Sequence, residues 1–512
     1  MFRKVLSSTA LAAAVTLAVA PAAYAGKAND ELVWTTTREV AVADPYFNNT
    51  RELVIMGNTV WDGLLFRNLK TGEYEPLLAT SYKWVDSTTI DFELRDDVVF
   101  HDGSKFGPED VVYTVNFVSD ADNGVLTQAN VKFLKSAEKT GPNSVRIHLK
   151  EPFPAALAYF AQTVFMMPEG HYDSAKDGAD GKKDYGTVKA NGTGPYKMVD
   201  VVAGDRVEMV RNENYFKNGP KGQAAIGKLT FRTIKEMNTQ IAELLTGGVD
   251  WIWDVPKDQA EKLGERGGTT VTNAKTMRIS YIAFDVDGDS GEKAFTDKRV
   301  REAVAHAINR KSIVENLVGP ASVVIDSACH PDQFGCAQDV KKWDYDPEKA
   351  KALLKEAGYG DGLTTDIYAY RQREFTEAVI GDLANIGIQA NLKFMQYRAL
   401  RDLVWKGTTP LHHMTWGSNS VPDISASTGH FFSGGKDDPA KDPDVVEALQ
   451  KGDTSTDPAV RKEAYKKALS IISSELYWLP MFTYAKYYAY SEDLDFTPTS
   501  DEIPRFYTAK WK

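Results

Sequence analysis

Apolar and polar positions along this chain follow two periods that take turns over nearly its whole length. "TIDFELR" (Thr89–Arg95) and "SVRIHLK" (Ser144–Lys150) alternate with period two, the pattern of half-buried strands. "KLTFRTI", "EMNTQIAELLTGG" and "VDWIWDV" read strand, helix, strand, with Gly247-Gly248 ending the helix. Units of that kind build a parallel sheet. "TDKRVREAVAHAINR" sets Val300, Val304, Ala307 and Ile308 on one helical face behind a Thr296 or Asp297 cap. In "DPEKAKALLKEAGYGDG", Asp346 caps, Pro347 fills the first turn and Gly358 closes the helix, and the Asp-Pro opening recurs at Asp457-Pro458. The polar stretch Asp173–Asp184 reads as a solvent loop. These patterns predict an α/β fold, and 512 residues are too many for one compact core, so two or three domains are expected.

"LRDDVVFHDGSKFGPEDVVYTV" (Leu94–Val115) holds His101-Asp102-Gly103, a histidine beside an aspartate that invites a catalytic reading. Its place favours scaffold. A strand precedes it, and a helix starts at Pro108-Glu109-Asp110, with two carboxylates at the positive end of the helix dipole. Val111, Val112 and Val115 supply that helix's buried face. His101 and Asp102 stand where turn side chains bond the backbone, and Gly103 can take positive φ.

Composition adds a compartment. Arg3 and Lys4 precede an apolar run from Val5 to Ala20, and Ala23-Tyr24-Ala25 has the small-x-small form of a signal-peptidase site. Cleavage after Ala25 is expected, giving an exported chain, and no later stretch is apolar enough to span a bilayer. The formal net charge of -11 argues against nucleic acid and anionic membrane as partners. Cys329 and Cys336 in "CHPDQFGC" are read as a disulfide pinning a short loop. A metal site is the alternative, since His330 and Asp332 lie between them, but no second ligand pair follows. His412-His413 also invites a metal, although neighbours on a strand point to opposite faces and cannot easily share one ion. No Gly-x-Ser-x-Gly elbow or His-Glu-x-x-His helix supports a secreted hydrolase.

"EYEPLLATSYKWVDSTTIDFELRDDVVFHDGSKFGPEDVVYTV" closely resembles the signature of extracellular solute-binding proteins of the peptide/nickel type, the periplasmic receptors of ABC importers. The resemblance continues through "GTGPYKM", "RNENYF", "FTDKRVREAVAHAINR", "YDPEKAKALLKEAGY" and "FTEAVIGDLANIGI". It departs at "KFGPEDV", where Gly107 replaces the usual hydroxyl or small cap. It implies a two-lobed α/β fold with a hinge and an extra α/β subdomain in the first lobe, with no catalysis and no cofactor. The first lobe would comprise residues 26–58, 189–283 and 484–512, the extra subdomain 59–188, and the second lobe 284–483. The implied partners are a small solute, short peptides first, and an inner-membrane permease with its ATPase subunits. A monomer is expected.

The same resemblance directs attention to "MTWGSNSVPD" (Met414–Asp423), where Trp416 would wall the ligand and Ser418, Asn419 and Asp423 would offer polar contacts. An ordinary turn with Trp416 in the core is the plain alternative. Peptide receptors of this kind commonly hold the ligand's ammonium with an aspartate at the position occupied here by Ser418. Either Asp423 substitutes for it, or the solute is not a peptide with a free amino terminus but an oligosaccharide, an opine-like conjugate or a modified peptide. Arg371 would take a ligand carboxylate through its bidentate fork, with Arg373 competing for that role. Arg38, Tyr46, Asn48 and Tyr484 complete the expected set.

Overall fold

A ten-stranded mixed sheet runs through the whole molecule in the computed structural model, which describes residues 25–178 and 181–512, with backbone alone at 129 and 419. The leader expected over residues 1–25 lies, apart from Ala25, outside the described residues. In chain order the strands are β1 (Glu31–Thr36), β2 (Tyr196–Val202), β3 (Arg206–Arg211), β4 (Lys228–Thr233) and β5 (Trp251–Trp253). They continue with β6 (Thr269–Phe284), β7 (Leu363–Ala369), β8 (Ile388–Phe394), β9 (Leu411–Trp416) and β10 (Trp478–Ser491). Their spatial order is β2-β3-β4-β1-β5-β10-β6-β9-β7-β8.

The strand–helix–strand unit at Lys228–Val255 forms as the pattern predicts, with Gly247 in the left-handed conformation at the helix end. Pairing inserts β1 between its two strands, parallel to both. Trp34, Phe231, Trp251 and Phe506 cluster on that part of the sheet, with ring centroids about 5 to 6 Å apart. In the other half, β7 lies between β8 and β9, parallel to both, and Tyr281 stacks on Trp478 at 3.5 Å.

Two long antiparallel strands, β6 and β10, join the halves. β6 has 16 residues and spans about 50 Å at ~3.3 Å per residue. Its pairing with β10 is interrupted between Lys275 and Ile279. Before the break, Thr269–Lys275 pair only with β10. After it, residues 279–284 also pair with β9, in the second half. The strand partners of β6 therefore change across 276–278. "MRISYIAF" carries no breaker residue, so only strand pairing marks the change.

A separate antiparallel sheet, with strands Ala79–Asp86, Thr89–Leu94, Ser144–Leu149 and Leu134–Gly141 in that spatial order, carries helix Pro108–Ser119. Val111 and Val115 are buried on that helix, whereas Val112 is only half-buried, and Thr114 and Val118 complete the buried face. Gly107 caps it through its backbone N–H, which donates to Asp110 at 2.7 Å. The Asp297, Asp346 and Asp457 caps each accept a first-turn amide, as their sequences predict. The stretch Asp173–Asp184 is more than a loop, because Lys176–Asp177 pair with Lys183–Asp184.

His101 lies at the joint between this small domain and the first half of the main sheet. Its Nε2 is 3.0 Å from the Gly194 carbonyl, and its Nδ1 accepts from Gly192 N–H at 3.3 Å. Asp102 accepts from Ser104 and Asn191. Burial lowers the His101 pKa to about 4, so the ring is neutral and works as a two-ended brace. Gly192 is required there, since a Cβ would stand 2.1 Å from the Val60 carbonyl oxygen. Cys329 and Cys336 form a disulfide with Cα atoms 5.8 Å apart.

Candidate functional site

A cavity of about 380 Å³ lies between the two halves, near the break in β6. Its volume is within the usual range for small-molecule sites, but its wall is far more charged than usual. Five basic side chains (Arg38, Arg51, Arg278, Arg371 and Lys486) and three carboxylates (Glu52, Asp254 and Glu502) line it.

Most reach the wall from an element end or from the break in β6, whereas Lys486 lies within β10 and Glu502 in the C-terminal tail. β1 stops at Thr36, and Arg38 follows two residues later. Thr50 precedes helix Arg51–Val60, which puts Arg51 and Glu52 in its first turn. β5 ends at Trp253, and Asp254 turns the chain at φ 54°. Arg278 occupies the interrupted stretch of β6, and Arg371 follows β7. Leu126, Thr127 and Thr163 of the small domain close one side.

The charges divide into an internally satisfied set and a free set. Lys486 lies over the Trp253 ring at 4.1 Å and pairs with Asp254 at 3.1 Å and Glu502 at 3.0 Å. Burial pushes the Glu502 carboxyl up, but Lys486, Arg278 and Arg51 outweigh it and hold it well below the usual carboxylate range. Arg51 donates to Ser420 Oγ at 2.6 Å, and that hydroxyl donates to the Asp501 carbonyl, so the loop after β9 is tied to the C-terminal tail. Arg278 donates to Thr415 Oγ1 at 3.0 Å, while its buried Nε has no partner. Among the described residues Arg371 pairs with no carboxylate; its guanidinium sits 5.9 Å from the Tyr484 ring centroid. Glu52 accepts from Thr36 Oγ1 at 2.8 Å through Oε1, while its buried Oε2 has no partner.

Of the residues expected from the sequence, Arg38 and Arg371 line this cavity, and Tyr484 lies buried beneath Arg371. Arg373 is exposed and pairs along its own helix with Glu377. Trp416 stacks on His430 at 4.8 Å and donates to the Ala426 carbonyl, away from the cavity wall. Ser418 is buried in the turn Ser418–Ser420 at φ 49°. Asn419 belongs to the same turn, but its side chain lies outside the described residues. Asp423 is held by Arg461 at 2.8 and 2.9 Å and by Ser425, and it lines a different, open groove of about 1250 Å³ between the small domain and the second half. Tyr46 is fully buried, donating to the Phe165 carbonyl at 2.6 Å, and Asn48 closes a turn onto Val42.

His412 and His413 face apart on β9. His412 contacts Thr409, and His413 bridges Thr376 and Ser280. Burial lowers their pKa values to about 3 and about 4, so both are neutral. Among the described residues, no group of three or more His, Cys, Asp or Glu side chains could hold a metal ion, and no helix is long and apolar enough to cross a membrane.

Sequence reading missed Arg51, Glu52, Asp254, Arg278, Lys486 and Glu502. None stands in a motif: Arg51, Glu52 and Asp254 reach the wall from element ends, Arg278 from the interrupted stretch of β6, Lys486 from within β10 and Glu502 from the C-terminal tail.

A mixed sheet continuous across two halves, joined by two long strands with a cavity at their break, defines a two-lobed α/β binding protein. The family model for bacterial extracellular solute-binding proteins, family 5 (middle), matches residues 73–439, and the chain belongs to that family. It is a solute-binding receptor, not an enzyme. The glutathione-binding protein GsiB of Salmonella typhi is 28% identical over 510 residues, covering 94% of each chain. The solved ABC transporter substrate-binding protein CtaP of Listeria monocytogenes superposes with a TM-score of 0.82 at 21% identity, covering 95% of this chain and 99% of that one. A dipeptide-binding protein of Pseudoalteromonas sp. SM9913, in complex with Met-Leu, gives 0.76 at 22% identity, covering 94% and 100%.

Proposed function

We propose that this chain is the periplasmic receptor of an ABC importer, that it captures a short peptide in the charged cavity, and that it closes over it. The interruption of strand pairing at 276–278 of β6, opposite Tyr484 of β10, supports a hinge there. The closed form is then presented to a membrane permease and its ATPase subunits. The observation that carries this reading is that the two lobes bring charged side chains to one cavity, Arg38 and Glu52 from the first and Arg371 from the second. A solute touching both lobes stabilises the closed form by its differential affinity for it. A relative that binds glutathione and a similar fold that holds a dipeptide support a peptide as solute.

A non-peptide solute is the second reading. It is favoured by Ser418 standing where an aspartate is common in peptide receptors, together with the commitment of Asp423 to Arg461.

The test is native mass spectrometry of protein purified from its own periplasm, followed by denaturation to release the solute. Peptides with free amino termini are the expected result. A saccharide or other non-peptide mass overturns the peptide assignment and leaves the receptor role standing.

A further inference from the structure

The cavity wall has two kinds of unmet demand. Oε2 of Glu52 is buried and has no hydrogen-bond partner, on a side chain only 2% exposed. A buried carboxylate oxygen left unpaired is costly, and an ammonium group is the partner that would satisfy it best. Four arginines, Arg38, Arg51, Arg278 and Arg371, line the same cavity; among the described residues none forms an ion pair with a carboxylate, and the Nε of Arg278 is buried without an acceptor. Asp254 and Glu502 more than offset Lys486, and the five cations and three carboxylates of the wall leave a surplus of two positive charges. Guanidinium forks match carboxylates bidentately.

We infer that Glu52 is the ammonium anchor of the ligand site, and that the arginine excess selects a solute with one ammonium and at least two carboxylates. The inference rests on the receptor reading above and assigns the chemical class its ligand must have. It also accounts for the neutral Ser418, since the ammonium-binding role has moved from the second-lobe loop to the first turn of a first-lobe helix. A solute with only one carboxylate would leave the buried Nε of Arg278 or the half-buried guanidinium of Arg371 unmatched, which a selective site penalises.

The test is isothermal titration calorimetry on the full exported chain, stripped of endogenous solute. The probes are L-alanyl-L-glutamate and glutathione, each with one ammonium and two carboxylates. They are set against L-alanyl-L-glutamine, the glycine amide of glutathione, and the N-acetyl form of each diacid. At least one diacid is expected to bind, with its amide and its N-acetyl form each about 10- to 100-fold weaker. Glu52→Gln keeps the Thr36 contact. It is expected to weaken the free-amine diacid by a similar factor and to leave the N-acetyl form unchanged, a split that a merely structural Glu52 would not produce. If E52Q fails to fold, the N-acetyl comparison on the unaltered chain carries the same test.

Amides that bind as tightly as their acids overturn the inference while the peptide reading survives. If no probe binds, the solute released from the periplasmic protein decides. A solute with an ammonium and two carboxylates upholds the inference even where it is no peptide, and a neutral or singly charged solute overturns it.

Discussion

Asp423 and Glu52 are both carboxylates buried to within a few per cent, and they line two different cavities. Asp423, in the second lobe, is gripped by Arg461, whose guanidinium also stacks over the Phe334 ring at 4.7 Å. Glu52, in the first lobe, has one oxygen on a threonine and the other on nothing. The first is a closed unit that holds the loop after β9 in shape. The second is held ready for something the chain does not itself supply. Burial alone therefore does not distinguish a structural carboxylate from a functional one; the presence or absence of an internal counter-charge does.

The largest effect should come from opening the closed pair. Arg461→Met leaves Asp423 buried without a cation and is expected to cost about 3–5 kcal/mol of stability, read from urea unfolding. The protein that remains folded should bind ligand as before. A loss of affinity without a loss of stability would place Asp423 in the ligand site and erase the contrast.

The disulfide braces the same region, because Phe334 between its cysteines bonds to Pro422 and Ile424 on either side of Asp423. Replacing Cys329 and Cys336 together by serine should cost about 2–3 kcal/mol, given the short loop it closes. Affinity should again hold, and thermal melts with and without ligand check both points.

Arg371→Ala should weaken ligand binding about 10- to 100-fold while shifting the ligand-free melting point little, because no carboxylate depends on it. Calorimetry paired with ligand-free melts separates the two quantities.

Asp250 offers a third environment: it is buried with Val33 N–H as a donor and no cation beside it, and burial raises its pKa to about 7. The fold prefers its protonated form. Its stabilising contribution is therefore complete below the unfolded value near 3.8 and is lost as pH rises through about 7. Asp250→Asn does not titrate, so its stability relative to the unaltered chain should improve between pH 4 and pH 8, by about 3–4 kcal/mol. Urea midpoints at those two pH values test the sign.

The smallest effect belongs to Arg373, exposed and paired with Glu377 one helical turn away. Arg373→Ala should change stability by no more than about 0.5 kcal/mol and leave affinity unchanged, measured as for Arg371. A large loss of affinity here would exchange the roles of the two arginines.

The sequence by itself determined what depends on neighbours in the chain. The period-two and helical patterns, the Asp297, Asp346 and Asp457 caps, the Asp102–Ser104 turn and the disulfide are local, because each is made by residues a few positions apart or by an element's own amphipathic face, whereas the His101 brace onto Gly192 and Gly194 is a long-range contact. The ordered motifs from "EYEPLLATSYKW" to "FTEAVIGDLANIGI" carried the family and hence the two-lobed fold. Tertiary structure alone decided the rest. It set the insertion of β1 between β4 and β5, the position of the break in β6, and the side of the protein on which each charge lies. Asp423 reads in sequence as an available acid and is neutralised by Arg461, 38 residues on. Glu52 reads as an ordinary first-turn helix acid, yet it is the one left without a counter-charge. Coulomb interactions act through space and not along the chain, so whether a carboxylate is spent or free is fixed only by the tertiary fold.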